Sequence, residues 1–143
     1  MFDFSGKIPG DLGVKDGKLK QPPTSPNCVN SMYEEDPHFI EPLKGAINVV
    51  NVIVESLGNV EVIEITSNYL YVTFKSKFWG FVDDVEFYSK DESQIIHVRS
   101  ASRIGHSDLG ANRKRIEYIR GKLASQWRVT YGNVLVAIIN LGI

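Results

Sequence analysis

Apolar residues recur at three- and four-residue spacing through Leu43, Ala46, Ile47, Val50, Ile53, Val54 and Leu57, which is the period of a helix with one buried stripe. Pro42 suits a first turn, and Gly58 with Asn59 supplies the stop. The pattern then changes to period two. Runs at about 60–66, 69–76, 81–88 and 94–101 have strand character, and the short links between them predict a four-stranded antiparallel meander. A long C-terminal helix is expected from Ser107 or Asp108 to Trp127, with Ile116, Ile119, Leu123 and Trp127 on one face. Before the first helix, scattered glycines and Pro22, Pro23 and Pro26 predict an extended N-terminal arm over residues 1–31 that gains its order by docking. The expected class is α+β.

Strand alternation assigns two faces to the sheet. Ile63, Ile65, Leu70, Val72, Phe74, Val85, Phe87, Ile96 and Val98 form an apolar set for the two helices to cover. Tyr69, Tyr71, Thr73, Asp84, Glu86, His97 and Arg99 fall on the other face, expected to stand open to a ligand or partner. A tight turn at 90–93 would bring residue 84 near 99 and residue 86 near 97. The order of elements is similar to one half of a TATA-binding-protein-like fold, an analogy that carries no function. The expected division is the docked arm at 1–31, a single α+β domain at 32–127 and an apolar segment at 128–143.

Composition adds limits. A chain of 143 residues can bury a core without disulfides, and Cys28, its single cysteine, excludes a bridge within the chain. The three histidines show no paired-ligand spacing, so no metal and no cofactor is expected. The N-terminus lacks a basic stretch followed by an apolar one, and no secretory signal is expected. The apolar run Val134–Ile139, extended to Ile143, is about half of the ~20 residues a membrane span requires. It leaves room only for a peripheral membrane contact.

The near-neutral net charge of -1 conceals an asymmetry. Residues 1–96 carry eight lysines against fifteen acids and no arginine, whereas all six arginines lie between Arg99 and Arg128. Arg99, Ser100, Ser102 and Arg103 leave the last strand toward the helix, and paired guanidiniums can grip a carboxylate or phosphate. With Asp84, Asp108, Asn112 and Arg113 they form the candidate ligand-binding set. The bland alternative is an internal brace in which Arg99 pairs with Asp84, and Arg103 with Asp83, Asp108 or a loop carbonyl. Gly105 to Gly110 only weakly matches a phosphate-cradling loop, and Asp108 suits a helix cap better. Arg113, Arg115, Arg120 and Arg128 would remain the more available cations. The basic residues Arg113, Lys114, Arg115, Arg120 and Lys122 encircle the helix without forming a stripe, and nucleic acid is not expected as a partner.

Cys28 is the candidate nucleophile, which would require His38, His97, His106 or an arginine nearby to lower its pKa. The alternative is a small buried hydrophobe. Asp83 and Asp84 point to opposite faces of a strand and cannot converge without a bulge.

Ser25 to Val29, His38 to Leu43, Phe81 to Phe87, Arg99 to Gly105 and Ser107 to Arg113 together make the chain resemble the domain-of-unknown-function 1499 family over about residues 3–123. The arm resembles that of cyanobacterial and plastid members. Such members often carry a second cysteine where this chain has Pro22, so no two-cysteine chemistry transfers. The family implies no activity. The expected function is a non-catalytic binding or assembly module that recognises an acidic small molecule or protein partner through the Arg/Ser-rich strand-helix junction. The alternative is a hydrolase or thiol-transfer enzyme using Cys28. The arm's likeness implies a cytoplasmic or thylakoid-associated setting, and the oligomeric state is left open.

Overall fold

A computed structural model describes the backbone of residues 3–91 and 93–140 and the side chains of residues 3–91 and 93–126. The elements are β1 (Cys28–Asn30), β2 (Leu43–Lys44), α1 (Ile47–Glu55), β3 (Val60–Ile65), β4 (Tyr69–Lys75), β5 (Val82–Tyr88), β6 (Ile95–Ser102) and α2 (Ala111–Asn140). The class is α+β, with an antiparallel sheet and two helices, the second C-terminal. The sheet has six strands where four were expected, in the order β1-β6-β5-β4-β3, and β2 also pairs with β6. The two extra strands are short pieces of the segments that Pro-rich composition and helical spacing had claimed.

Two helix starts differ from expectation. Leu43 and Lys44 pair with Ile96 and Ile95, so the apolar spacing that begins at Leu43 belongs first to a strand and only from Ile47 to a helix. Gly45 makes the join, and a Cβ there would come within 3.0 Å of Leu123 Cδ2 on α2. The second helix begins at Ala111, because Leu109 and Gly110 take positive φ values of 53° and 80° that no helix accommodates. It then continues past Trp127 to Asn140. Side chains of the apolar 128–143 segment, and all of residues 141–143, lie outside the described residues. Among the described residues no helix is long and apolar enough to cross a membrane.

One core lies between the helices and the sheet. Val50 and Val54 of α1, Ile116 and Ile119 of α2, and Leu70, Val72, Val85, Phe87, Ile96 and Val98 of the sheet are all buried in it. In β3 the alternation fails. Val60 and Val62 pack against the core, the register shifts between Val62 and Glu64 with Ile63 left unpaired, and Ile63 and Ile65 are both 48% exposed. An extra residue in one strand flips every side chain beyond it, and period two cannot reveal that in advance.

The opposite face is covered rather than open. Leu19, 1% exposed, sits with Tyr69, Tyr71 and Tyr88 in a second apolar cluster, flanked by Leu12, Val14 and Met32. The chain before β1 supplies this cover and is tied down by side chains. Asn30 donates from Nδ2 to the Lys20 carbonyl at 2.8 Å and accepts from the Met32 N–H at 2.8 Å. Tyr33 donates its hydroxyl to the Leu19 carbonyl at 3.1 Å. Three tyrosine rings offered more apolar area than the acids between them could keep wet.

Candidate functional site

The candidate residues converge where β5 and β6 run side by side and β6 passes into α2. Register decides the partners. Asp84 lies opposite Ala101, and Glu86 lies opposite Arg99, a shift of one pair from the expected alignment. Asp84 is 2% exposed and is gripped by Arg103, whose Nε donates to Oδ2 and Nη2 to Oδ1, each at 2.9 Å. Tyr71 donates its hydroxyl to the same Oδ1 at 2.5 Å. Burial, with the Asp84 hydrogen bond behind it, pushes the Tyr71 hydroxyl up to about 12. The pairing of Arg103 with Asp83 or Asp108 does not occur.

Glu86 is fully buried beneath the arm. Its Oε1 accepts from the Gly13 N–H and from the Tyr69 hydroxyl, both at 2.8 Å. The Arg99 Nη1 stands 3.9 Å from Oε2, and among the described residues neither Glu86 Oε2 nor Arg99 Nε makes a hydrogen bond. Burial raises the Glu86 carboxyl above the usual range, and the Gly13 N–H, the Tyr69 hydroxyl and the Arg99 charge oppose it only in part. Burial likewise raises Tyr69 and lowers His97.

On the helix side of the sheet, Asn112 is the hub. Fully buried, it accepts at Oδ1 from Ser100 Oγ at 2.5 Å and from Arg115 Nη1 at 2.8 Å. Its Nδ2 donates to the Asn27 carbonyl, Ser102 Oγ and Asp108 Oδ2 at 3.2, 3.0 and 2.7 Å. Arg115 also donates to Asp83 Oδ2 at 2.5 Å and lies 4.5 Å over the Phe74 ring. Asp83 and Asp84 therefore serve opposite faces, each with its own arginine.

Asp108 caps α2. Its Oδ1 accepts from the Gly110 N–H at 2.8 Å and its Oδ2 from the Asn112 N–H at 3.0 Å. Burial acts to raise this carboxyl, and the donors from Asn112 and Gly110 together outweigh it and hold it low. The arginines expected to be available are also engaged. Arg113 donates to the Phe39 carbonyl at 2.9 Å, and Arg120 donates to the Pro42 and Glu41 carbonyls at 2.8 and 2.7 Å. The Arg128 side chain lies outside the described residues.

Cys28 is 3% exposed at the floor of a cleft of about 320 Å³ that His38, Asp108 and Arg113 also line. Both ring nitrogens of His38 are engaged with other groups: Nε2 meets the Ser25 carbonyl at 2.7 Å and Nδ1 meets Asp36 Oδ1. Burial pushes the Cys28 thiol up to about 11, against the smaller pull of Arg99. A larger cleft, about 540 Å³, opens beside the junction between the β4–β5 turn and the start of α2. Phe74, Phe81, Ile104 and Leu109 give it apolar walls, and Lys75 and Lys77 lie on its lining. Pattern reading missed these residues, because strand and helix periodicity says nothing about which turns meet in space. The one signal was the lysine-and-aromatic turn from Lys75 to Phe81.

With its arm-covered tyrosines and its Asn-centred junction described, the chain can be set beside known proteins. The family model "Protein of unknown function (DUF1499)" matches residues 18–123. The chain belongs to the DUF1499 family. The matched span starts just before Leu19 and ends at Leu123, so it takes in both sheet faces and every ion pair of the junction. Residues 3–17 of the arm, Gly13 included, fall outside the DUF1499 match. No curated protein and no solved structure matches the chain.

Proposed function

We propose that the protein is a non-catalytic binding or assembly module that takes an acidic ligand or acidic protein partner at the β6–α2 junction. The cleft of about 540 Å³ carries this reading. Arg99, Arg103, Arg113 and Arg115 hold the junction's shape through internal partners, which leaves Lys75 and Lys77 to meet an external negative charge. The apolar walls from Phe81, Ile104 and Leu109 favour an acid with an apolar body over a bare anion. A hydrolase or thiol-transfer role for Cys28 finds less support, since burial raises the thiol and the imidazole lining the same cleft, His38, is engaged with Asp36 and the Ser25 carbonyl.

The pairing of β3, β4, β5 and β6 in chain order is what supports the likeness to half of a TATA-binding-protein-like fold, as a likeness of shape without a nucleic-acid role. The cytoplasmic or thylakoid-associated setting rests on the likeness of the arm to cyanobacterial and plastid members.

The test uses anilinonaphthalene sulfonate, an anion with an aromatic body, titrated against the full chain by fluorescence. Saturable binding is expected, weakened by Leu109→Asn and by Lys77→Glu. Asparagine also accepts the positive φ of position 109, so the first change removes apolar wall without straining the turn. Absence of saturable binding, or binding indifferent to both substitutions, rejects the reading.

A further inference from the structure

The β4–β5 turn does the reverse of what the rest of the chain does with its aromatic residues. Phe78 is 92% exposed and Trp79 is 66% exposed at the tip of the hairpin. The turn is nonetheless a closed structure. Ser76 donates its N–H to the Phe81 carbonyl at 2.8 Å and accepts the Phe81 N–H on its hydroxyl at 2.9 Å. Behind the tip, the Phe4 ring meets Trp79 edge-on with centroids 6.3 Å apart and Phe81 at 5.2 Å. Lys75 and Lys77 stand at the base of the same turn, and no acidic residue occurs between Lys75 and Val82. Asp3 is the acid that lines the hollow beside it.

The two aromatic side chains project from a braced turn, fill no core, and flank an open hollow that they share with Phe4 and the two lysines. An almost wholly exposed Phe78, beside Trp79 and two lysines with no acid in the turn, fits a deformable anionic layer better than the preformed groove of a protein. Tryptophan is favoured at the level of lipid headgroups because its ring is apolar and its N–H is polar. Lysines just behind such a tip reach the negative charge of the same surface. We propose that the β4–β5 turn is a membrane-docking tip, which places Phe78 and Trp79 in the interfacial layer of a bilayer containing anionic lipid while Lys75 and Lys77 contact its headgroups. The contact is peripheral; it shares Lys75 and Lys77 with the cleft assigned above, while Leu109 lines the cleft alone and Phe78 and Trp79 the tip alone, so substitutions at those three residues tell the two apart.

The experiment is co-sedimentation of the full chain with vesicles of phosphatidylcholine alone and of phosphatidylcholine mixed with phosphatidylserine. Binding to the mixed vesicles is expected, and Phe78→Ser with Trp79→Ser should lower the partition coefficient by about tenfold or more. Lys75→Glu with Lys77→Glu should abolish the preference for phosphatidylserine. Both pairs are exposed at a turn, and an unchanged melting temperature serves as the folding control. In a Trp127→Phe chain, Trp79 fluorescence should be quenched by lipids brominated near the headgroup. Failure of the unaltered chain to bind mixed vesicles overturns the proposal. So does binding that survives loss of Phe78 and Trp79, which would assign the contact elsewhere, the apolar run at 134–139 included.

Discussion

Arg103 closes a two-pronged hydrogen bond on Asp84 across the β5–β6 pair, and Tyr71 closes the same carboxylate from β4. Three strands are thereby joined through one buried acid. Because Asp84 is 2% exposed, its charge has no water to fall back on if the guanidinium is removed. Arg103→Ala is expected to cost about 3–5 kcal/mol, the usual penalty for leaving half of a buried pair. Arg103→Lys keeps the charge but cannot reproduce the fork, and should recover only part of the loss. Urea denaturation of the two variants checks the order, and equal stability of both with the unaltered chain would show that the fork contributes nothing.

Asn112 invites a sharper substitution than alanine. Asn112→Asp keeps the size of the side chain but removes the two amide N–H donors, which serve three acceptors, and sets a second carboxylate against Asp108. Loss of those bonds in a fully buried site should cost about 3 kcal/mol or more. Thermal melts should show the deficit shrinking as pH falls and the new acid takes up a proton. A variant equal in stability to the unaltered chain at neutral pH would contradict the role of Asn112 as the hub.

Much of this arrangement is legible in the residue pattern, and the part that is not has identifiable causes. Leu70, Val72, Val85 and Phe87 announced the core face of the sheet by simple alternation, and Asp108 announced the cap by its place before a helix. Ile63 misled because it is the unpaired residue of the irregularity between Val62 and Glu64, and a bulge leaves no mark in residue type. The Asp84 partner was misassigned because pairing depends on the length of the 89–94 turn, and a slip of one residue on each strand re-pairs every charge. The polar face looked open because its cover comes from Leu19 and its neighbours, in a segment whose Gly and Pro content hides its packing role. Cys28 and Asn30 gave no strand signal, since a three-residue strand is too short for periodicity to show.

Glu86 makes the pH dependence run against the usual acid-denaturation trend. Its folded-state pKa is raised above the ordinary value, chiefly by burial, so the folded chain holds this proton more tightly than the unfolded chain does. The stability it contributes is therefore fully present below the unfolded value of 4.5 and is lost as pH rises through the folded value. Glu86→Gln removes that titration. The difference in urea midpoint between the unaltered chain and Glu86→Gln should change between pH 4.5 and neutrality, the unaltered chain faring relatively worse as pH rises. A difference that stays flat across that window would mean that Glu86 titrates alike in both states.

Cys28 offers the cleanest reading of the core near β1. Burial moves its thiol from an ordinary 9.0 up to about 11, which favours the folded chain below pH 9.0 and ceases to do so as pH rises through about 11. At neutral pH only on the order of one thiol in ten thousand is ionised, and the thiolate is the species that alkylates. Iodoacetamide should therefore label native protein far more slowly than a free thiol, and labelling should reach the free-thiol rate once urea unfolds the chain. Cys28→Ser should also destabilise, because it buries a more polar hydroxyl where the thiol's partner, the Val29 carbonyl, stands 3.5 Å from the sulfur. Rapid labelling of the native chain would contradict the buried thiol and shift weight to Cys28 chemistry, for which His38 would first have to release the Ser25 carbonyl.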